Sequence, residues 1–418
     1  MLLIGHSLTA YFTAWQLIAT ETPFEWWSNP ATPAHEGIPE LALLPSSTLT
    51  LSHHGQKLWQ QVAEQIPVVR TVPFADLATT PSRIAKLREE ALLDALAGQN
   101  VVYEEKAPHG VHPRLVLGAR VNHSAPQLVD NFAALLKGAL PRAPKERFWE
   151  TAEEFINQLP PHMHKVLIAD DLLARQLDIQ LVPKRRHALV WRLETPLAAP
   201  TAPLLLLHRM PKGHAWFMLE EQNLTLVYDG VADEHQETRS SEPDSGTVAA
   251  LWAHAEQVLP FFKARKPAAP EVTVHTDWLL PDSLPYLGPW APSLWKDALT
   301  MRGITLFIAG GAGAREAMYA PALGEKLAEM AMATEFVHMP LAPTTARQMA
   351  SVPESLIFPE PKAEDAPSYL PTEPNVMQAQ HTQITETPAV KRMGEVRMVN
   401  KREPIRSVAA LEALKKKG

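Results

Sequence analysis

The chain has 418 residues, a formal net charge of −7 and an apolar fraction of 46%, enough mass and hydrophobicity for two or three packed domains. The acidic balance points away from nucleic acid as a partner. Cysteine is absent, which excludes disulfides, thiolate metal sites and cysteine nucleophiles together. It fits a reducing compartment, and a cytoplasmic location is expected.

Residues 1–20 carry no charged side chain, but no basic residue precedes Gly5 and polar side chains interrupt the run at His6, Ser7, Thr9, Thr13 and Gln16. A signal peptide or spanning helix needs the opposite of both features. A buried strand over Met1–Ile4, a turn over Gly5–Ala10 and a helix from Tyr11 to Ala19 are expected instead. A second strand follows at Phe24–Trp27. This order is the opening of a βαβ nucleotide-binding unit, whose turn reads Gly-x-Gly-x-x-Gly/Ala. Here it reads Gly5-x-Ser7-x-x-Ala10. The middle glycine lets backbone approach a pyrophosphate, and Ser7 replaces it. The acid that usually ends the second strand and binds a ribose is replaced by Trp27, Ser28 or Asn29. Trp26 and Trp27 are expected to fill the space of that ribose.

Residues 80–98 read as a helix. Ser124-Ala-Pro126 reads as a helix start, with Leu128, Phe132, Leu135 and Leu136 on one face. Lys165–Ala169 is a strand, followed by Asp170-Asp171. From Val182 to Tyr228 short apolar runs alternate with turn formers, which is sheet texture. Thr247–Phe262 is a helix. The stretch Trp278–Trp290 is rich in turn formers and reads as loop rather than regular structure. A strand, Ile304–Ala309, a glycine cluster, Gly310-Gly311-Ala312-Gly313, and a helix bearing Leu323, Leu327 and Met330 complete the ordered part.

This order of parts resembles the FAD-dependent oxidoreductases of the D-amino-acid oxidase and glycine oxidase type. The resemblance rests on the first turn, on Glu36–Pro39 with its Gly37, on the loop around Pro281–Pro289 and on the C-terminal glycines, whereas the family's Pro-x-x-Gly departs to Pro183-Lys-Arg-Arg186. It implies an α/β chain in which a Rossmann-like domain (1–75, 125–181 and 270–345) is interleaved with a β-rich substrate-type domain (76–124 and 182–269). It also implies FAD as cofactor, held by Gly5, Ser7, Ala10, Gly37, Gly311 and Gly313 if it is retained. Several matching positions depart from the family pattern. Besides Ser7, Asp171 and Glu316 stand where glycines are expected, and Asp277 aligns with the arginine that holds a substrate carboxylate. The chain is therefore expected to be a degenerate homologue with FAD binding weakened or lost, serving as a structural or regulatory subunit. The alternative is an active FAD-dependent oxidoreductase acting on an amine or other small substrate. No catalytic residue is assigned.

Other signals carry less. Lys184-Arg-Arg186 is either an anion site or a solvated strand edge. His162-Met-His164 and His53-His54 lack a third ligand, so no metal site is expected. Ser7 on a strand-to-helix turn lacks the second glycine of a nucleophile elbow. The region 346–390 is expected to be an unstructured linker. Between Pro353 and Val390 it holds seven prolines and six acidic residues against one lysine, too little apolar surface to offset ordering entropy. Residues 391–418 reverse the charge, with nine Lys/Arg against three Glu. They end in a short amphipathic stretch from Ser407 and are expected to dock on an acidic protein or a neighbouring subunit, with no membrane insertion.

Overall fold

The computed structural model describes residues 1–32, 40–41, 54–55, 57–59, 69–71, 73–96, 100–108, 110–123, 127–129, 140–193, 204–209, 214–220, 222–232, 244–265, 268–281 and 284–333. The expected linker and docking tail lie outside the described residues, and so does Gly37.

Leu2–Ile4 is a central strand because every side chain on it is apolar and both faces are covered. Leu3 packs against the first helix, Leu8–Ala19, while Leu2 and Ile4 pack against the opposite layer. Continuous apolar runs of this kind mark strands buried on both sides. The neighbours of Leu2–Ile4 are Lys165–Ile168 and Glu25–Ser28, both parallel to it. Thr305–Gly310 adds in parallel beyond Lys165–Ile168, Tyr286–Trp290 closes that edge antiparallel, and Lys145–Glu146 closes the other. The result is a six-stranded sheet with helices on both faces. The first helix and the last, Glu316–Met332, cover one side. Ala152–Gln158, Asp171–Gln176 and Lys296–Met301 cover the other.

The expected loop at 278–290 is mostly strand. Trp278 and Leu279 end the strand Glu271–Leu279, and Tyr286–Trp290 is the antiparallel edge. Pro289 is compatible with that position because an edge strand needs no N–H on its outer side. Leu128 also differs from expectation, since Gln127–Val129 is a strand between Glu40–Leu41 and Val69–Thr71.

The β texture between 182 and 228 forms part of an eight-stranded sheet. Its order is Glu271–Leu279, Val182–Arg192, Asn223–Ala232, His214–Leu219, Leu204–Arg209, Phe74–Ala78, Gly118–Asn122 and Val101–Glu104. All of its pairings are antiparallel except that between Leu204–Arg209 and Phe74–Ala78. Because Glu271–Leu279 pairs in this sheet, the chain returns to the six-stranded sheet at Tyr286, later than the expected boundary at 270. One face buries Leu189, Trp191, Phe217 and Leu226 against Leu251, Ala255 and Phe262 of the two helices Ser245–Val258 and Pro260–Arg265. Lys184 and Arg186 are not at a solvated edge. Their strand is paired on both sides, and both side chains are buried against acids, Lys184 on Asp229 and Arg186 on Asp277, each at 2.8 Å.

Two close approaches set the last helix. Pro321 lies inside it and removes the N–H that would bond the carbonyl of Ala317. The Trp59 indole donates to that carbonyl at 2.5 Å instead. Three residues on, Gly324 meets the first helix so closely that a Cβ there would stand 2.6 Å from Phe12 Cβ and 2.7 Å from Thr13 N. Gly324→Ala is therefore expected to lower stability by about 1–3 kcal/mol, the range for overpacking a tight core. Gly246→Ala, whose Cβ would meet only the Asp244 carboxylate at 3.6 Å, is the control and should be near neutral. Thermal denaturation of both variants checks this, and equal melting temperatures would contradict the close packing.

Candidate functional site

The parallel strands of the six-stranded sheet point their carboxyl ends the same way, and the backbone turns that follow them build the site. This is the position where open α/β sheets place ligands. Gly5 ends the first strand with φ of +118°, and a Cβ on it would stand 2.2 Å from the Ala169 carbonyl. Only glycine fits this turn. Ser7 then caps the first helix: its Oγ accepts from Ala10 N at 3.3 Å and donates to Ala169 O at 2.9 Å. The hydroxyl is tied down at both ends, which leaves no elbow nucleophile.

The next helical amide, Thr9 N, donates to Glu316 Oε1 at 3.2 Å, and Thr9 Oγ1 donates to the same oxygen at 3.3 Å. A carboxylate from the start of the last helix thus sits at the N-terminus of the first. Helix N-termini carry free N–H groups and a partial positive charge, and they are common sites for phosphate.

Two more carboxylates come from the turn after Lys165–Ile168. Asp170 caps the helix Asp171–Gln176 through Leu173 N at 2.9 Å and accepts from Thr32 Oγ1 at 3.2 Å. Burial pushes its carboxyl above the usual range. Asp171 Oδ1 accepts from Tyr286 OH at 2.7 Å and from Gly311 N at 2.9 Å. Burial is the main cause that lifts Asp171 to about 7, and the negative charges of Glu316 and Asp170 add to it. Burial and the same three acids hold the Tyr286 phenol well above its ordinary value. Asp171 also fills the space beside the glycine cluster, since a Cβ on Gly310 would stand 2.2 Å from its Oδ1.

Ser7, Asp170, Asp171 and Glu316 line a cavity of about 500 Å³. The wall opposite the helices comes from the eight-stranded sheet and includes His275, Asp277 and Trp278, and Phe148, Trp149 and Glu150 close a third side. Asp277 is 2% exposed, 2.8 Å from Arg186 Nη2 and 3.6 Å from His275 Nε2. An isolated bridge between Leu279 and Ala312 joins the large sheet to the glycine cluster beside it. Five carboxylates line the cavity (Glu150, Asp170, Asp171, Asp277 and Glu316), and no lysine or arginine is among its described lining residues.

Of the residues expected to hold a cofactor, Ser7 and Gly313 line the cavity. Gly5, Ala10 and Gly311 stand behind its wall as backbone supports. Trp26 and Trp27 do not reach it: they are buried on opposite faces of the sheet, because neighbours on a strand alternate. Asn29, just beyond the second strand, does line it. Its Nδ2 donates to Trp149 O at 2.7 Å and its Oδ1 accepts from Ala31 N at 3.0 Å. His162 is exposed, 3.8 Å from Glu25. Phe148, Trp149, Glu150 and His275 were not foreseen. They follow no motif, and only the folded chain brings them together.

Residues 161–330 match the family model "FAD dependent oxidoreductase" (DAO). Solved structures with the same fold include glycine oxidase from Geobacillus kaustophilus, with a TM-score of 0.59 and 16% identity over 82% of this chain and 98% of that one. L-proline dehydrogenase from P. horikoshii gives 0.59 and 13% over 81% and 94%. Iminodiacetate oxidase from Chelativorans sp. BNC1 gives 0.59 and 14% over 82% and 98%. At these identities the likeness is one of fold. No curated protein sequence matches the chain. Among the described residues no helix is long and apolar enough to cross a membrane.

The Asp171 environment fixes a pH dependence. Its folded value, about 7, lies above an unfolded value of about 3.9. The associated stability is therefore complete below about pH 4, is lost as pH rises to about 7 and is level above that. Asp171→Asn keeps an oxygen acceptor for Tyr286 and Gly311 but cannot ionise. Between pH 4 and 7 the unfolding free energy of the variant, measured in urea, is expected to gain on wild type by up to about 4 kcal/mol. Parallel pH profiles would contradict this assignment.

Proposed function

We propose that this chain, which has the DAO-type fold and carries that family's sequence pattern over residues 161–330, works as a structural or regulatory subunit and not as an oxidase. The observation that carries the proposal is the charge of the cavity. FAD would bring two phosphate charges to a space whose described lining residues include five carboxylates and no lysine or arginine. Each like-charge pair held near 4 Å costs about 4 kcal/mol at the effective dielectric of a protein surface. Tight binding to the first helix would also require displacing Glu316 from Thr9. The residues present do not fit FAD.

The substrate side supports the same reading. Asp277 occupies the position expected for a carboxylate-holding arginine. The nearest buried cation, Arg186, is 0% exposed and engaged with Asp277. An amino-acid carboxylate meets no free cation among the described lining residues.

Purified protein is expected to be colourless, without a flavin band. It should release no hydrogen peroxide from glycine, D-alanine or D-proline. One tightly bound FAD per chain, or saturable turnover of any of these substrates, overturns the proposal.

The basic C-terminal segment completes it. Residues 391–418 combine nine Lys/Arg with apolar side chains at Met393, Val396, Met398, Val399 and Ile405, a composition suited to docking on an acidic protein surface. A chain truncated after Val390 is expected to lose its partners on co-purification from the native host. Recovery of the same partners in the same amounts would count against docking through this segment.

A further inference from the structure

Resting on the proposed docking role of residues 391–418 and deepening it, we infer that the outer face of the helix Pro81–Leu96 receives Ser407–Lys417 of the same chain. This helix lies against Phe74–Ala78, Val101–Glu104 and Gly118–Asn122 of the eight-stranded sheet. Its inner side is committed there. Leu87 and Ala91 are buried, Arg83 donates to Asp76 at 2.5 Å, and Asp94 accepts from Arg120 of the sheet.

The outer side carries a second, largely apolar stripe. Ala85, Glu89, Leu92, Leu93 and Leu96 recur at the spacing of one helix face, and all five are exposed. Leu92, Leu93 and Leu96 are 61%, 58% and 76% exposed. Single apolar side chains on a surface are ordinary, but three together on one helix face form a patch of the kind that partners cover. The charges around the patch point to a basic occupant. Arg88 is paired with Glu105, and Glu90 with Arg83 and Lys86. Glu89, inside the stripe, has no ion pair among the described residues.

Ser407–Lys417 is the complement of this face. Val408, Leu411 and Leu414 share one side of a helix begun by Ser407, and Lys415–Lys417 end it. So short a helix is marginal in isolation and needs a surface for burial. Laid antiparallel, Val408 meets Leu96, Leu411 meets Leu93 and Lys415 meets Glu89. The spacings agree, because Leu96 to Glu89 and Val408 to Lys415 each span about 10 Å of helix. About 70 residues separate Ala333 from Ser407, and a coil of that length spans about 45 Å. A folded body of about 330 residues has a radius of gyration of about 20 Å, so the segment reaches this face from its own chain. Tethering then favours the same chain over a second copy as its source. Docking at this point anchors the basic stretch 391–406 at both ends, which lowers the ordering entropy that a partner has to offset.

The test is amide hydrogen exchange on the purified full chain at two protein concentrations. In wild type, residues 408–417 are expected to exchange at least about tenfold more slowly than in a synthetic peptide of the same sequence, equally at both concentrations. Leu92→Glu combined with Leu96→Glu should return them to the peptide rate while leaving exchange in the strands of the eight-stranded sheet unchanged. If that double variant does not fold, Glu89→Lys decides. It sets like charge against Lys415 and should reduce the protection, and Glu89→Gln should reduce it less. Exchange at the peptide rate in wild type overturns the inference. So does protection that survives these substitutions, or protection that grows with concentration and so comes from a second copy. The two readings fail separately. Partners kept after truncation at Val390 remove the docking role on which this inference builds, whereas unprotected 408–417 in a chain that loses its partners on truncation removes only this inference.

Discussion

The contact between Glu316 and Thr9 is the constraint around which the site is arranged. It joins the first helix to the last across the carboxyl ends of the parallel strands. It depends on a helix crossing tight enough to require Gly324 and on a helix start shaped by the glycine cluster. The last helix is held at its other end as well, where Lys165 Nζ donates to the carbonyls of Ala331 and Ala333 at 2.6 and 3.1 Å. A cation at the carboxyl end and a carboxylate at the amino end both agree with the helix dipole. The carbonyl freed by Pro321 is taken by Trp59.

The large sheet shows a similar pattern. The face turned toward the cavity carries Lys184 on Asp229 and Arg186 on Asp277, all four nearly or fully buried. Buried pairs of this kind add little net stability over apolar packing, but removing one partner is costly because the other charge is stranded. The arrangement consumes the cations that a carboxylate substrate would need. It also leaves the carboxylates from the small sheet, Asp170, Asp171 and Glu316, without a lysine or arginine among the described lining residues of the cavity.

Much of the fold was legible because its signals are local. Leu2–Ile4, Gly5 with its turn, and the Thr305–Gly310 strand with its glycine cluster follow from apolar runs and glycine placement alone. The departures at Ser7, Asp171, Asp277 and Glu316 were also visible as residues. Their roles were not, because each depends on a partner far away in sequence: Glu316 on Thr9, Asp171 on Tyr286 and Gly311, Asp277 on Arg186. The loop expected over 278–290 fails for a related reason. Pro289 and Gly288 read as turn formers, but an edge strand accepts proline where an inner one does not, and edge position is a tertiary property. Lys184 and Arg186 read as solvated for want of their buried acids, and Trp26 and Trp27 were placed in the site although strand alternation sends them to opposite layers.

The site's charge has a consequence for its own protonation. Backbone N–H groups at Gly311 and Leu173 hold a carboxylate oxygen of Asp171 and of Asp170. Such hydrogen bonds favour the ionised form, yet desolvation by burial opposes it at both acids, and neighbouring negative charge adds to burial at Asp171. Burial wins at both Asp170 and Asp171, and at Asp171 the opposing groups are defined. Two donors, Tyr286 OH and Gly311 N, support its charge, but burial outweighs them and the neighbouring acids add to the burial. Its carboxyl therefore holds its proton well above the usual carboxylate range. A proton kept there lowers the negative charge that Asp171 shares with its neighbours.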